Sequence, residues 1–388
     1  MAARPLRQWA AKLHLYLGLG LGGLFVLMGL TGSAIAWLPE LDALLNPALL
    51  RAAPASPSQR FEVTPATVQT VFDTLAADPR YGTPTQLNPP ADAHDVYIAA
   101  YRRPLPAGAG AAQQAVTRQV MLDPYTLRVV GERDWGRYGL SRPLLMPTLF
   151  HLHRYLLSGE VGKTVTGIAG LALLLLALCG LLLWWPRASW AAVRRALRVA
   201  HGGSWPRFHS SLHRAGGFFA APVLLMLAFS GVYLNLPQLV LPLVGALSEL
   251  APAGKLGNAA AGAAIAPGAA MARAQALYPR GRVSRIAPPA KAAAPYEIRL
   301  RQPGEAAAGD GATRVVLDAV SGRPLRVRDP LTAAAGERFL GWLYPLHSGQ
   351  AFGAPGRVFI SLFGLAPLLF FVTGLLMWRK RRPKPGRR

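Results

Sequence analysis

The sequence predicts a membrane α-helical protein with four transmembrane helices in two repeats and two small α+β domains. Three observations support this fold class. The 388 residues are 52% hydrophobic and only 15% charged, a composition too apolar for an ordinary soluble enzyme. Four long apolar runs alternate with polar segments, and the second half of the chain repeats the pattern of the first. An internal repeat of this kind decides the architecture before any single element does.

The repeat is anchored on histidines. Leu152-His153-Arg154 precedes the second apolar run, which ends in Trp184-Trp185-Pro186-Arg187, and Leu346-His347 precedes the fourth, which ends in Trp378. These copies are 194 residues apart, and three glycines keep the same offset: Gly162, Gly170 and Gly180 recur as Gly356, Gly364 and Gly374. The first and third runs match at an offset of 199, where Leu13-His14 and Thr31-Gly32 recur as Leu212-His213 and Ser230-Gly231.

The chain divides into nine predicted segments. They are a cytoplasmic N-terminus (1–12), the first transmembrane helix (13–38), a first periplasmic domain (39–150), a periplasmic histidine segment with the second transmembrane helix (151–185), a basic cytoplasmic loop that could carry an interfacial helix (186–211), the third transmembrane helix (212–236), a second periplasmic domain (237–340), a periplasmic histidine segment with the fourth transmembrane helix (341–378), and a basic cytoplasmic tail (379–388).

The orientation follows from where the basic residues behind the net charge of +24 lie along the chain. Fifteen basic residues and no Asp or Glu lie within residues 1–13, 186–212 and 379–388. Short basic segments that flank apolar runs stay on the cytoplasmic side of a membrane, so both termini are predicted to be cytoplasmic and both polar domains periplasmic in a bacterial inner membrane. A nucleic-acid partner is not expected, because binding to nucleic acid would not explain this alternation.

The first apolar run also has the features of a signal peptide, since Arg4, Arg7 and Lys12 precede it and Ser33-Ala34-Ile35-Ala36 resembles a cleavage site. Its length and its match to the third run favour a retained helix. The single cysteine, Cys179, excludes a disulfide within the chain and any Cys-x-x-Cys-His motif for covalent haem attachment.

Each polar domain shows a helix and strands. In the first, Thr64-Pro65 opens a helix that reaches Leu75; strand-like pieces follow at Val96–Tyr101, Val116–Leu122 and Leu127–Gly131, with a turn at Asp123-Pro124-Tyr125 and a flexible tip at Pro104–Ala112. In the second, an Ala/Gly-rich stretch (Ala251–Ala266) precedes a helix at Pro267–Leu277, and Val315–Asp318 parallels Val120–Asp123 and the turn that follows it.

Six of the eight histidines fall at predicted membrane boundaries. His14 and His213 open the first and third helices, with His209 one turn before His213; His153 and His347 precede the second and fourth, with His151 close to His153. Each membrane face therefore offers two repeat-related imidazoles from different helices. His94 and His201 lie in polar segments, where a solvated or structural role is expected.

Two neutral imidazoles on facing helices suit the axial ligation of haem iron. Two such centres, one near each face, would relay electrons across the membrane. Interfacial anchoring is the alternative for any one histidine, and zinc lacks a third protein ligand at each face. Arg154 and Arg214 follow histidines directly and could pair with haem propionates, or anchor the membrane rim. No nucleophile–base constellation, phosphate loop or dinucleotide fingerprint is present, so any redox chemistry belongs to a cofactor and the catalytic residues are unknown.

The chain resembles the PepSY-associated transmembrane helix family, iron-regulated inner-membrane proteins that include ferric-siderophore reductases. The resemblance covers nearly the whole chain. It is carried by the His14, His153, His213 and His347 segments and by the Leu122-Asp123 and Leu317-Asp318 turns, which make both periplasmic domains PepSY-like.

The resemblance implies two b-type haems, with His14 paired to His213 and His153 to His347, and with His209 or His151 as possible substitutes or neighbours. It implies a ferric siderophore as the substrate and an external electron donor, either a quinol or a cytoplasmic reductase. Two other functions remain open: a non-redox regulatory or binding protein, and a siderophore permease.

Overall fold

The computed structural model describes residues 3–54, 61–103, 110, 113, 115–185, 189–201, 203–252, 254, 256–258, 262–291, 294–306 and 309–381. Several sequence predictions fall outside these residues: Pro186 and Arg187, the tail from residue 382 onward, most of the Pro104–Ala112 tip and part of the Ala251–Ala266 stretch.

Fourteen helices and eight strands, with one short 3-10 turn, make up the described chain. In chain order they are α1 (Ala3–Gly20), α2 (Gly22–Ile35), α3 (Leu38–Leu45), α4 (Pro47–Leu50), α5 (Pro65–Ala77), β1 (Gln86–Asn88), β2 (Tyr97–Arg102), β3 (Thr117–Leu122), β4 (Val129–Trp135), α6 (Arg142–Tyr155), α7 (Gly159–Trp184), α8 (Trp190–Leu197), α9 (Trp205–Asn235), α10 (Pro237–Gly245), α11 (Pro267–Leu277), β5 (Arg282–Ala287), β6 (Tyr296–Arg301), β7 (Thr313–Leu317), β8 (Pro324–Arg328), α12 (Ala335–His347), the 3-10 turn Gln350–Phe352, α13 (Gly353–Phe363) and α14 (Ala366–Arg381).

These elements form two compact units. The helical unit comprises Met1–Trp37, Leu152–Pro242 and Leu346–Arg388, and the sheet unit comprises Leu38–His151 and Leu243–Pro345. Each unit therefore draws on both halves of the chain.

Three helical stretches are long and apolar enough to cross a membrane: Gly159–Trp184, Trp205–Asn235 and Gln350–Lys380. The first span was predicted as one helix over 13–38, but the structure has two helices there, Pro5–Gly20 and Gly22–Ile35, which meet at a 60° bend. Only if these two helices are taken together do they count as a fourth span. The break at Leu21 lies among Gly20, Gly22 and Gly23, and glycine is a poor helix former. The third span begins earlier than predicted, at Trp205, where Pro206 suits the first turn.

Small residues allow the long helices to approach closely. At the crossing of α2 with the α13–α14 segment, a Cβ on Gly29 would lie 2.2 Å from the carbonyl oxygen of Gly364. Beside it, Ser33 Oγ donates a hydrogen bond to Ser361 O at 2.8 Å. At the crossing of α7 with α9, a Cβ on Gly170 would lie 3.0 Å from a methyl group of Val232. Close packing at small residues is the usual basis of helix association in membranes.

The eight strands form one antiparallel sheet in the order β4-β3-β2-β1-β5-β6-β7-β8. The two predicted polar domains are therefore not separate: each supplies a four-stranded meander, and the meanders join where Leu87 of β1 faces Ile286 of β5. Joining them removes two exposed sheet edges. Helices α5 and α11 pack together on one face, over a single hydrophobic core that includes Phe72, Met271 and residues from all the central strands.

Most local predictions for the sheet unit are confirmed. Thr64 caps α5 by accepting a hydrogen bond from Thr67 N at 3.1 Å, and α11 spans the predicted residues. The two predicted turns share one geometry, in which the carboxylate of Asp123 or Asp318 accepts from backbone N–H groups two and three residues later. The sequence analysis missed β1, β5, β6 and β8.

We expect Gly29→Ala to destabilise the helical unit by about 1–3 kcal/mol, because the new methyl group overlaps the backbone of Gly364. Gly23→Ala in the same helix is the matched control, since a Cβ there meets nothing within 4 Å. The thermal unfolding midpoints of detergent-purified variants provide the measurement. Equal midpoints for the two variants would contradict the close crossing.

Candidate functional site

The histidines of the first and third spans lie side by side in the helical unit. His14 on α1 and His213 on α9 have ring centroids 6.2 Å apart, with ring planes at 83°. Both side chains are half-buried. These two residues are called the His14–His213 pair.

Each ring of this pair is held by one nitrogen. His14 Nδ1 donates to the carbonyl oxygen of Leu176 on α7 at 3.0 Å. His213 Nδ1 lies 2.8 Å from Thr373 Oγ1 on α14. The Thr373 hydroxyl donates to Leu369 O at 2.7 Å, so its lone pair accepts from the Nδ1–H of His213.

A second pair repeats this arrangement. His153 on α6 and His347 on α12 have ring centroids 6.4 Å apart, with ring planes at 62°. His153 Nδ1 lies 3.1 Å from Thr31 Oγ1, and His347 Nδ1 lies 2.8 Å from Ser230 Oγ. Both hydroxyls donate to carbonyl oxygens of their own helices, Thr31 to Leu27 and Ser230 to Met226, each at 2.7 Å. Their lone pairs therefore accept from the imidazole N–H groups.

A glycine lies against the edge of every ring. A Cβ on Gly180 would stand 3.1 Å from His14 Cε1, and one on Gly374 would stand 3.6 Å from His213 Cε1. The second pair has the same neighbours, because a Cβ on Gly32 would lie 3.0 Å from His153 Cε1 and one on Gly231 would lie 3.5 Å from His347 Cε1. In each pair, the two glycines stand at repeat-related positions.

The donor set fits axial ligation of a metal in a flat macrocycle. Within the described part of the chain, all four rings have hydrogen bonds at Nδ1 alone, which leaves Nε2 as an unprotonated acceptor. Two imidazoles on opposite sides of one metal, each about 2 Å from it, would have ring centroids about 6 Å apart. The two observed separations, 6.2 and 6.4 Å, agree with this value.

A cavity of about 1070 Å³ is lined by the His14–His213 pair. This volume is slightly above the usual range for ligand and cofactor sites, about 300–1,000 Å³. None of its described lining residues is Asp or Glu. Five of them are basic: Lys12, Arg195, Arg198, Arg207 and Arg214. The cavity therefore suits a largely apolar molecule that carries anionic groups at one end.

A second cavity, of about 340 Å³, is lined by apolar residues that include Leu346, the residue before His347. Neither His153 nor His347 lines it. The geometric fit to a large cofactor is therefore clearer at the His14–His213 pair.

The other predicted site residues lie apart from the two pairs. His209 stacks on Trp205 at 5.0 Å. His151 is buried and its Nδ1 donates to Pro147 O at 2.7 Å, among the rings of Trp135, Tyr138 and Phe150.

The two predicted arginines differ in environment. Arg214 lines the larger cavity, is exposed, and donates to Arg195 O at 3.2 Å. Arg154 donates to Leu234 O at 3.4 Å and lies over the ring of Tyr155, and its buried Nε has no hydrogen-bond partner among the described residues. Both can meet an anionic group, and their role stays a prediction.

The sequence analysis matched Thr31-Gly32 to Ser230-Gly231 as repeat positions, but it did not predict that such residues hold the histidines. Three are hydroxyl residues directly followed by the ring-packing glycine: Thr31-Gly32, Ser230-Gly231 and Thr373-Gly374. The fourth position is Cys179-Gly180, where the carbonyl of Leu176 is the acceptor instead. A hydroxyl–glycine dipeptide inside an apolar run is the signal that could have found them.

These features define a class of protein: a helical membrane protein with a β-sheet unit and two histidine pairs built alike. Among the described residues no group of three or more His, Cys, Asp or Glu could hold a metal ion, so each pair supplies two protein ligands at most. The family model for the PepSY-associated TM region matches residues 11–381, and the chain belongs to that family. A search of curated proteins gives no match.

Proposed function

We propose that this chain is a transmembrane electron-transfer protein that holds two b-type haems and reduces a ferric siderophore. In this proposal the apolar spans form four transmembrane helices in two repeats within a bacterial inner membrane. Both termini are cytoplasmic and the sheet unit is periplasmic. The basic segments between and after the apolar runs support this orientation.

The observation that carries the proposal is the shared environment of the four histidines. In each, Nδ1–H donates to an acceptor on a neighbouring helix, and a glycine without a side chain leaves room for the edge of the ring. Metal-bound histidines characteristically donate their other ring N–H in this way, which fixes the tautomer and raises the basicity of the ligating nitrogen. An anchoring role alone would require neither the same nitrogen nor a glycine at every ring.

Helix α9 connects the two pairs. His213 belongs to the first pair, and Ser230 holds His347 of the second. Ser230 lies seventeen positions after His213, about 25 Å along a helix axis at about 1.5 Å per residue. The two pairs would therefore stand near opposite faces of a hydrocarbon core about 30 Å thick.

When bound, each haem would supply a reversible one-electron Fe(III)/Fe(II) couple. The chain's own residues would fix the ligand tautomers, keep water from the ring edges and meet anionic groups with the basic residues of the cavity. An external donor, a quinol or a cytoplasmic reductase, must supply one electron for each ferric ion of the substrate. Reduction weakens the hold of hard oxygen donors on iron, so Fe(II) leaves the siderophore for uptake.

The first test is pigmentation. Detergent-purified protein made with ample haem should show sharp b-type bands after dithionite reduction, and a pyridine haemochrome assay should count two haems per chain. Colourless protein would overturn the proposal and favour a non-redox regulatory protein, whereas siderophore uptake into proteoliposomes without an electron donor would favour a permease.

Removal of one pair member tests the pairing. His153→Ala should lower the haem content from two to one per chain, because His347 alone does not provide a six-coordinate site. His209→Ala is the matched control and should keep both haems, since His209 stacks on Trp205 and belongs to neither pair. Full haem content in His153→Ala would refute the assignment of His153 as a ligand.

The hydroxyl partner gives a subtler test. Thr31→Val removes the acceptor of His153 Nδ1–H without removing the ligand, and should lower haem affinity at that pair by about 10- to 100-fold. Thr31→Ser keeps the hydroxyl and should bind as the parent does. Haem titration of the apoprotein measures both, and equal affinities for Val and Ser variants would show that the hydrogen bond is not needed.

A further inference from the structure

Four arginines stand side by side across the second half of the sheet. In the strand register, Arg285 of β5 faces Arg299 of β6, Arg299 faces Arg314 of β7, and Arg314 faces Arg328 of β8. These four residues are called the arginine row. They alternate with the core residues Ile298, Leu300, Val315 and Leu317, so the row lies on the face opposite the core.

The first half of the sheet shows that the fold does not require this charge. The matching row there is Gln86, Ala100, Gln119 and Arg133, which face one another in the same register. Its single charge is neutralised, because Arg133 Nη1 lies 2.8 Å from Asp42 Oδ2 on α3 and both side chains are buried. Like charges on directly opposed strand positions are destabilising, so the arginine row costs stability that the first half avoids.

The counter-charges in the second half are few. At the sequence offset of 199 residues that relates the first and third spans, the residue that corresponds to Asp42 is the uncharged Leu241. Arg285 is paired with Asp310, and Arg299 Nε lies 3.6 Å from Glu297 Oε1. Arg328 donates only to a carbonyl, that of Ala251, at 3.4 Å. Arg314 has no hydrogen bond or ion pair with the described residues.

The guanidinium groups are also incompletely bonded. The Nε atoms of Arg285, Arg299 and Arg328 are buried without a hydrogen-bond partner among the described residues. Burial, followed by the charges of Arg314 and Arg285, lowers the pKa of Arg299. A second cross-strand pair, Arg282 opposite Arg301, extends the positive surface beside the row.

We propose that the arginine row binds a small polyanion through its carboxylate or phosphate groups. A planar guanidinium matches these groups in a bidentate manner, and adjacent arginines would engage several of them at once. If the protein reduces ferric siderophores, as proposed above, then its substrates are anionic ferric chelates. Neutral chelates would be poor substrates because they carry no anionic groups to pair with the guanidinium groups of the arginine row.

Gallium(III) citrate is the probe. It is a polyanionic complex in which gallium(III) replaces iron(III), and gallium(III) is not reduced, so only binding is measured. Calorimetric titration of the full-length protein in detergent at low ionic strength should show binding that weakens with added salt. A neutral gallium(III) trihydroxamate should bind at least about tenfold more weakly. This binding needs neither haem nor electrons. A failure to bind gallium citrate would therefore not contradict the electron-transfer proposal, and a protein without haem could still bind gallium citrate.

The decisive variant is Arg285→Gln/Arg299→Ala/Arg314→Gln, which installs the residues that the first half carries in the same row. We expect about tenfold or greater loss of gallium citrate affinity with unchanged folding by circular dichroism. Arg280→Gln/Arg323→Gln removes two exposed arginines of the same unit and should bind as the parent does. The single Arg314→Gln variant serves if the triple variant does not fold.

Absence of binding by the parent protein, equal losses in the row and control variants, or binding only to vesicles of anionic phospholipid would each overturn the proposal.

Discussion

Everything in the helical unit depends on how an imidazole N–H is satisfied inside an apolar bundle. A buried donor left without a partner costs about 1–3 kcal/mol. The chain meets this constraint by giving each of the four histidines an acceptor on a different helix. These hydrogen bonds fix the relative position of the helices that they join, and they release the second ring nitrogen for another bond.

The two halves of the chain act as an internal comparison. Where they agree, at the histidines and at the glycines that pack on them, the agreement follows from one geometry built twice. Where they differ, the fold alone does not demand the residue. The row of Gln86, Ala100, Gln119 and Arg133 shows that the same strand register is compatible with a single, ion-paired arginine. The four arginines opposite one another in the second half therefore need another explanation. Binding of an anion is the explanation that uses their charge.

Much of the site could be predicted because the repeat is gapless over the regions that carry it. The repeat and the predicted topology assigned His14 and His213 to one membrane face and His153 and His347 to the other, and the family resemblance implied their pairing. Thr64 and Pro65 marked the start of α5. The joined sheet could not be predicted, because β1 is three residues long and its pairing with β5 links positions about half the chain apart. Strand β6 was not predicted although apolar and charged residues alternate along it. Its three charged residues made the segment look like a polar loop, while its three other residues are buried. The bend at Leu21 could not be predicted either, because the first apolar run contains several glycines and helix propensity alone does not say at which of them the helix bends.

The exception among the four histidines shows which part of the arrangement is constrained. Thr373 holds His213, but Cys179 stands at the corresponding position in the first half, and a thiol is a weak acceptor. His14 donates instead to the carbonyl of Leu176, three residues earlier in the same helix. Gly180 still packs against the ring as Gly374 does. The ring keeps its glycine and its Nδ1 bond while the chemical nature of the acceptor changes. The constraint therefore falls on where an acceptor stands relative to the ring, and a backbone carbonyl satisfies it as a hydroxyl does.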